Sequence, residues 1–239
     1  SSIFRAHHPG QTDIAYGSGT RQVIDLFESE GTPKGLIVFV HGGYWMKFDK
    51  SSWSHLAAGP LAAGWSVAIP SYTLAPEATI ASMGGEIAQA VDAAAERVAG
   101  PVRLAGHSAG GHLVTRMICQ PSPMDEGTAH RIDRVLSISG VHDLRQLQLT
   151  RMNATLGLDA EEAKTESPAL LPPRKDVGVV AWVGAHERPE SLRQTRMLEE
   201  AWSMDGAQIE AVYEQDRHHF DVINGLADPG SPMLSALLD

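Results

Sequence analysis

Residues Val102–His112 read VRLAGHSAGGH. Val102 to Ala105 is a short apolar stretch of strand character, and Gly106-His107-Ser108-Ala109-Gly110 follows it as G-x-S-x-G. From Ala109 to Ile118 the spacing turns helical. A serine on a sharp strand-to-helix corner stands clear of a sheet, and small residues on both sides let strand and helix approach closely. The five-letter pattern alone carries little weight; a strand before it and a helix after it make Ser108 a candidate nucleophile rather than one residue of a glycine-packed turn.

Outward from this corner the chain alternates short apolar runs with helical ones. Gln22 to Ser29 alternates as a half-buried strand, while Leu36 to Val40 (LIVFV) is continuously apolar, as a central strand is. Ser66 to Ile69, Arg134 to Ile138, Val177 to Val183 and Gln208 to Tyr213 are further strand candidates. Ile80 to Val98 is Ala-rich with helical spacing and stops at Gly100-Pro101; Pro189 to Met204 opens on proline, and Phe220 to Leu226 also reads as helical. Alternation of this kind predicts one α/β domain over residues 1–239, with a mostly parallel sheet and helices on both faces. Residues 142–175 break the rhythm with Pro168, Pro172 and Pro173, and are expected to form a small cap or lid over one sheet end. Ligands of such sheets bind beyond the carboxyl ends of the strands.

Composition narrows the function classes. Lys plus Arg number 19 against 29 for Asp plus Glu, a net charge of −10, which argues against nucleic acid or an anionic membrane surface as partner. No apolar run approaches the ~20 residues that span a bilayer. The chain opens on Ser1 with no signal-peptide pattern and no methionine, which leaves open whether an N-terminal segment is missing. A single cysteine, Cys119, excludes an intrachain disulfide and a cysteine zinc site, and fits a cytoplasmic protein. No H-E-x-x-H pattern or glycine-rich phosphate loop occurs, so neither metal nor cofactor is expected. None of these features fixes an oligomeric state.

Two further segments bear on chemistry. His41-Gly42-Gly43-Tyr44-Trp45 follows LIVFV directly. Backbone N–H groups of Gly43 and Tyr44, with that of Ala109 after the serine, are candidate donors to a developing oxyanion. Tyr44 and Trp45 flank those donors; Trp45 and His142 are candidate pocket residues, and His41 is expected to be packed. His218-His219-Phe220-Asp221 lies after the last strand and offers an imidazole to take the serine proton. The acid that orients it is Glu187, past Val177–Val183, or Asp143, past Arg134–Ile138; Asp143 also suits a helix cap.

HGGYW at His41, SYTLAPE at Ser71, GHSAGGHL at Gly106, SGVHDL at Ser139, Glu187-Arg188-Pro189-Glu190 and HHFDVI at His218 together resemble the α/β-hydrolase superfamily. Within it they are similar to the arylformamidase (kynurenine formamidase)-like serine hydrolases. The resemblance spans most of the chain and implies a Ser108, Glu187, His219 triad, the histidine directly preceding phenylalanine. In the formamidases the acid is usually aspartate followed by Ser-Pro-Glu-Phe; here Glu187 is followed by Arg188-Pro189-Glu190-Ser191. That difference favours a small carboxylic ester over an aryl formamide such as N-formylkynurenine. A ligand-binding protein on a retired hydrolase scaffold is the reading from another class.

Overall fold

A computed structural model describes residues 1–8 and 10–239. Eight strands form one sheet: β1 (Gln11–Ala15), β2 (Val23–Phe27), β3 (Leu36–Val40), β4 (Ser66–Pro70), β5 (Val102–His107), β6 (Ile132–Ile138), β7 (Gly178–Gly184) and β8 (Gln208–Glu214). Their spatial order is β1-β2-β4-β3-β5-β6-β7-β8. β2 runs antiparallel to both β1 and β4, and every other pairing is parallel.

β3 shows why a continuous apolar run belongs at the centre. Side chains alternate across a strand. Leu36, Val38 and Val40 therefore join one buried cluster, with Ile87, Leu113 and Trp202 from helices on that face. Ile37 and Phe39 join the other, with Leu56, Val222 and Leu234. Both faces are covered, so no position on β3 tolerates a polar side chain without a hydrogen-bond partner.

The Ala109–Arg116 helix leaves β5 at Ser108, whose backbone sits at φ 56° and ψ −116°. Few non-glycine residues adopt a positive φ. The corner is pinned from outside by Ser108 N–H donating to Ile138 O at 2.8 Å. Gly110 lies so close to β3 that a Cβ there would sit 2.0 Å from Val40 O. No side chain fits, which gives the small residues of the motif their structural reason.

Several boundaries differ from the expected ones. The long Ala-rich helix ends at Ala95 rather than Val98, and the elbow helix at Arg116 rather than Ile118. β1 has no apolar alternation, being an exposed edge strand, and so carries no strand signal of its own. Phe220–Leu226 is replaced by a 3-10 turn over Val222–Ala227. Residues 142–175 hold short helical pieces only, among them Leu144–Leu149 and Asn153–Leu156. Among the described residues no helix is long and apolar enough to cross a membrane.

Candidate active site

The carboxyl ends of five parallel strands deliver the polar groups. The loop after β3 brings His41 to Trp45, β5 ends at Ser108, and β6 leads into Ser139. The turn after β7 carries Glu187, and the loop after β8 carries His219. Ser108, His219, Tyr44, Trp45 and Ser139 line one cavity of about 490 Å³. Its other walls include Val141, Leu147 and Met152, which give it an apolar side, together with polar residues such as Gln146, Thr150 and Gln194.

His219 Nδ1 donates to Glu187 Oε2 at 2.8 Å. A carboxylate can only accept, so this bond assigns the proton to Nδ1 and leaves Nε2 as the lone-pair nitrogen. The other oxygen, Oε1, accepts from Gly184 N–H at 3.1 Å and from the Ser139 hydroxyl. Burial alone would raise the Glu187 pKa. The hydrogen bonds from His219, Ser139 and Gly184 outweigh it and hold the carboxyl below its ordinary value. Glu187 is therefore an ionised acceptor across the neutral pH range.

Asp143 does not approach His219 in this way. Its carboxylate is taken by Arg145, at 2.9 Å to Nε and 2.8 Å to Nη2, and it caps the following 3-10 turn. Between the two carboxyls left open by the sequence, the contact with the imidazole belongs to Glu187. His142 also departs from expectation. It is fully buried, outside the cavity lining, with its ring between Ser137 Oγ at 2.9 Å and Gln194 O at 3.3 Å. The β6 end turns inward there because Gln194 Oε1 accepts from the N–H groups of both His142 and Asp143 at 2.8 Å.

The glycine loop packs directly on the serine. A Cβ on Gly42 would meet Ser108 Cβ at 3.0 Å and His107 O at 2.7 Å. Gly43 and Tyr44 both have positive φ, 120° and 58°. Among the described residues the N–H groups of Gly43, Tyr44 and Ala109 find no acceptor within the chain. His41 is buried, donates from Nδ1 to Gly42 O at 2.7 Å, and stacks on Tyr72 at 4.7 Å. Burial lowers its pKa to about 4, which keeps it neutral.

Two residues at the site escaped the sequence reading. Ser139, at φ 52°, supplies the hydroxyl to Glu187. His107, immediately before the serine, is buried and donates from Nε2 to His219 O at 2.9 Å. Its ring lies 4.7 Å from that of His219, and burial followed by the His219 charge lowers its pKa to about 3. The signal for both was faint: each is a small or polar residue at the carboxyl end of a buried strand, where only a partner explains polarity.

No group of three or more His, Cys, Asp or Glu among the described residues is arranged to hold a metal ion. Cys119 is buried, and desolvation pushes its thiol up to about 12.

Residues 37–236 match the model of the alpha/beta hydrolase family. The chain is similar to kynurenine formamidase of Drosophila melanogaster, 29% identical over 232 residues that cover 90% of this chain and 76% of the relative. It is likewise similar to kynurenine formamidase of Danio rerio, 24% identical over 100% of this chain and 85% of that one. A solved structure from Silicibacter sp., provisionally assigned as a thioesterase, superposes with a TM-score of 0.95. It is 48% identical and covers 100% of this chain and 89% of its own. The apo form of Thermogutta terrifontis esterase 2 shares the fold at TM-score 0.75 and 18% identity, over 97% of this chain and 92% of that one. With its eight-stranded sheet, its serine elbow and a family match over most of its length, the chain belongs to the alpha/beta hydrolase family and is a hydrolase.

Proposed function

We propose that the chain is a serine hydrolase that cleaves small carboxylic esters through an acyl-enzyme. The observation that carries this reading is the His219–Glu187 hydrogen bond of 2.8 Å beside a cavity that Ser108 also lines. Serine is a weak nucleophile until a base takes its proton. His219 Nε2 is that base, and returns the proton to the leaving alcohol. Glu187, ionised and held by three donors, fixes the ring and stabilises its charged form. The N–H groups of Gly43, Tyr44 and Ala109 receive the oxyanion, a contribution worth about 3 kcal/mol per donor. Water then repeats the attack on the acyl-enzyme. No cofactor takes part.

Residues 142–175 act as a small cap: Leu147, Leu149 and Met152 from this segment close one side of the cavity. Its apolar wall suits a short acyl or aryl group. Hydrolysis of aryl formamides is the second reading, favoured by the formamidase names of the curated relatives. The same attack on a formyl carbonyl serves both.

The test is a parallel assay of p-nitrophenyl esters of graded acyl length and N-formylkynurenine, with Ser108→Ala beside the wild type. The ester reading expects ester turnover that Ser108→Ala abolishes. Turnover of N-formylkynurenine alone would replace it with the formamidase reading, and turnover that survives Ser108→Ala would remove Ser108 from the chemistry.

A further inference from the structure

Arg188 directly follows Glu187 at the N-terminal boundary of the Pro189–Met204 helix, and it lines the cavity with Ser108 and His219. The charged residues of that lining are Asp143, Arg188 and Glu190. Both carboxylates are already satisfied, Asp143 by Arg145 at 2.8 Å and Glu190 by Arg193 at 2.7 Å. Arg188 is different. Its side chain is exposed, and among the described residues its guanidinium has neither an ion pair nor a hydrogen bond. The uncompensated charge on the cavity wall is therefore positive, in a chain whose net charge is −10.

A guanidinium presents a planar fork of donors that matches a carboxylate. Arg188 adjoins Glu187, the carboxylate that holds His219, and lines the same cavity as Ser108 and His219 rather than remote surface. We infer that Arg188 is an anion subsite, and that the preferred substrates carry a carboxylate on an otherwise apolar body. The inference rests on the hydrolase reading of Ser108. Glu190 and Asp143 do not compete for the fork, because their own arginines hold them.

The carboxylate can sit on the leaving group or on the acyl group, and two matched pairs separate these. 4-Acetoxybenzoate against 4-acetoxybenzamide reads the leaving side; p-nitrophenyl hydrogen adipate against p-nitrophenyl hexanoate reads the acyl side. The expected result is a preference in kcat/KM for the anionic member of one pair, which Arg188→Gln lowers roughly tenfold, mainly through KM. Arg188→Glu lowers it further. No preference in the wild type, or a preference that Arg188→Gln leaves intact, overturns the subsite. A second readout needs no turnover: calorimetric binding of benzoate against benzamide to the Ser108→Ala protein, with and without Arg188→Gln. Benzoate binding that depends on Arg188, together with a wild type that hydrolyses none of the esters, refutes the hydrolase reading and leaves the subsite standing. Benzoate binding indifferent to Arg188 refutes the subsite itself.

Discussion

Lowering the pH from 7 to 5 attacks the fold through four buried histidines. His41, His112 and His142 are fully buried and His107 nearly so. Burial is the largest cause of the lowered pKa in each, to about 4 for His41 and His142 and about 3 for His107 and His112. A free imidazole titrates near 6.5. The folded values lie below it, so the unfolded chain binds protons that the folded one refuses. Stability is complete above about pH 6.5 and is lost as pH falls from there toward the folded values. At pH 5 each histidine costs about 1.5 pH units of proton binding, or about 2 kcal/mol. Four of them remove on the order of 8 kcal/mol, comparable with the whole stability of an ordinary domain. The carboxyl of Glu187, held below its usual range, stays ionised throughout this window. Urea unfolding followed by tryptophan fluorescence at pH 7, 6 and 5 reads the effect. The unfolding free energy should fall by several kcal/mol, and His142→Gln, which removes one titrating ring, should flatten the fall by about a quarter. An unfolding free energy that is level from pH 7 to 5 would refute the burial argument.

Other perturbations act on the site. Glu187→Gln should lower kcat by about 10³-fold or more, by analogy with loss of the acid from other serine triads, while Asp143→Asn should change it only a few-fold; steady-state kinetics on one ester decides, and the reverse order would move the acid to Asp143. Ser139→Ala removes one of the donors that keep Glu187 ionised, so its kcat should fall roughly tenfold and the acid limb of its pH–rate profile should rise in pH. His107→Leu should lower kcat with little change in KM, and His107→Gln, whose amide can still donate to His219 O, should restore part of the rate; equal loss in both variants would mean that His107 only fills space.

The sheet was legible because its strands are buried on both faces. LIVFV at β3 and the apolar core of β7 leave no alternative to central strands, and the Pro189–Met204 helix announces itself with proline at its first turn. β1 was not legible, because an exposed edge strand needs no apolar alternation. Helix ends were misplaced by two or three residues where the final turn loosens rather than where a glycine stands. At the site, Ser108 and His219 were singled out because each sits in a motif with a required context, and the fold brings both to one cavity. Strand position alone left Glu187 and Asp143 open, since both follow a buried strand at the same sheet end, and the family resemblance pointed to Glu187. In the side-chain geometry Glu187 holds His219 while Asp143 holds Arg145. His142 misled for a related reason: the loop after β6 points that ring into the core, where Ser137 and Gln194 satisfy it.

The central claim is that the Ser108 hydroxyl is made nucleophilic by His219. Labelling with a fluorophosphonate, followed by mass spectrometry of the modified peptide, tests it most directly. The account predicts a single adduct on Ser108 that forms rapidly in the wild type and is lost or greatly slowed in His219→Ala. A wild-type protein that resists the reagent, or an adduct rate indifferent to His219, would contradict it.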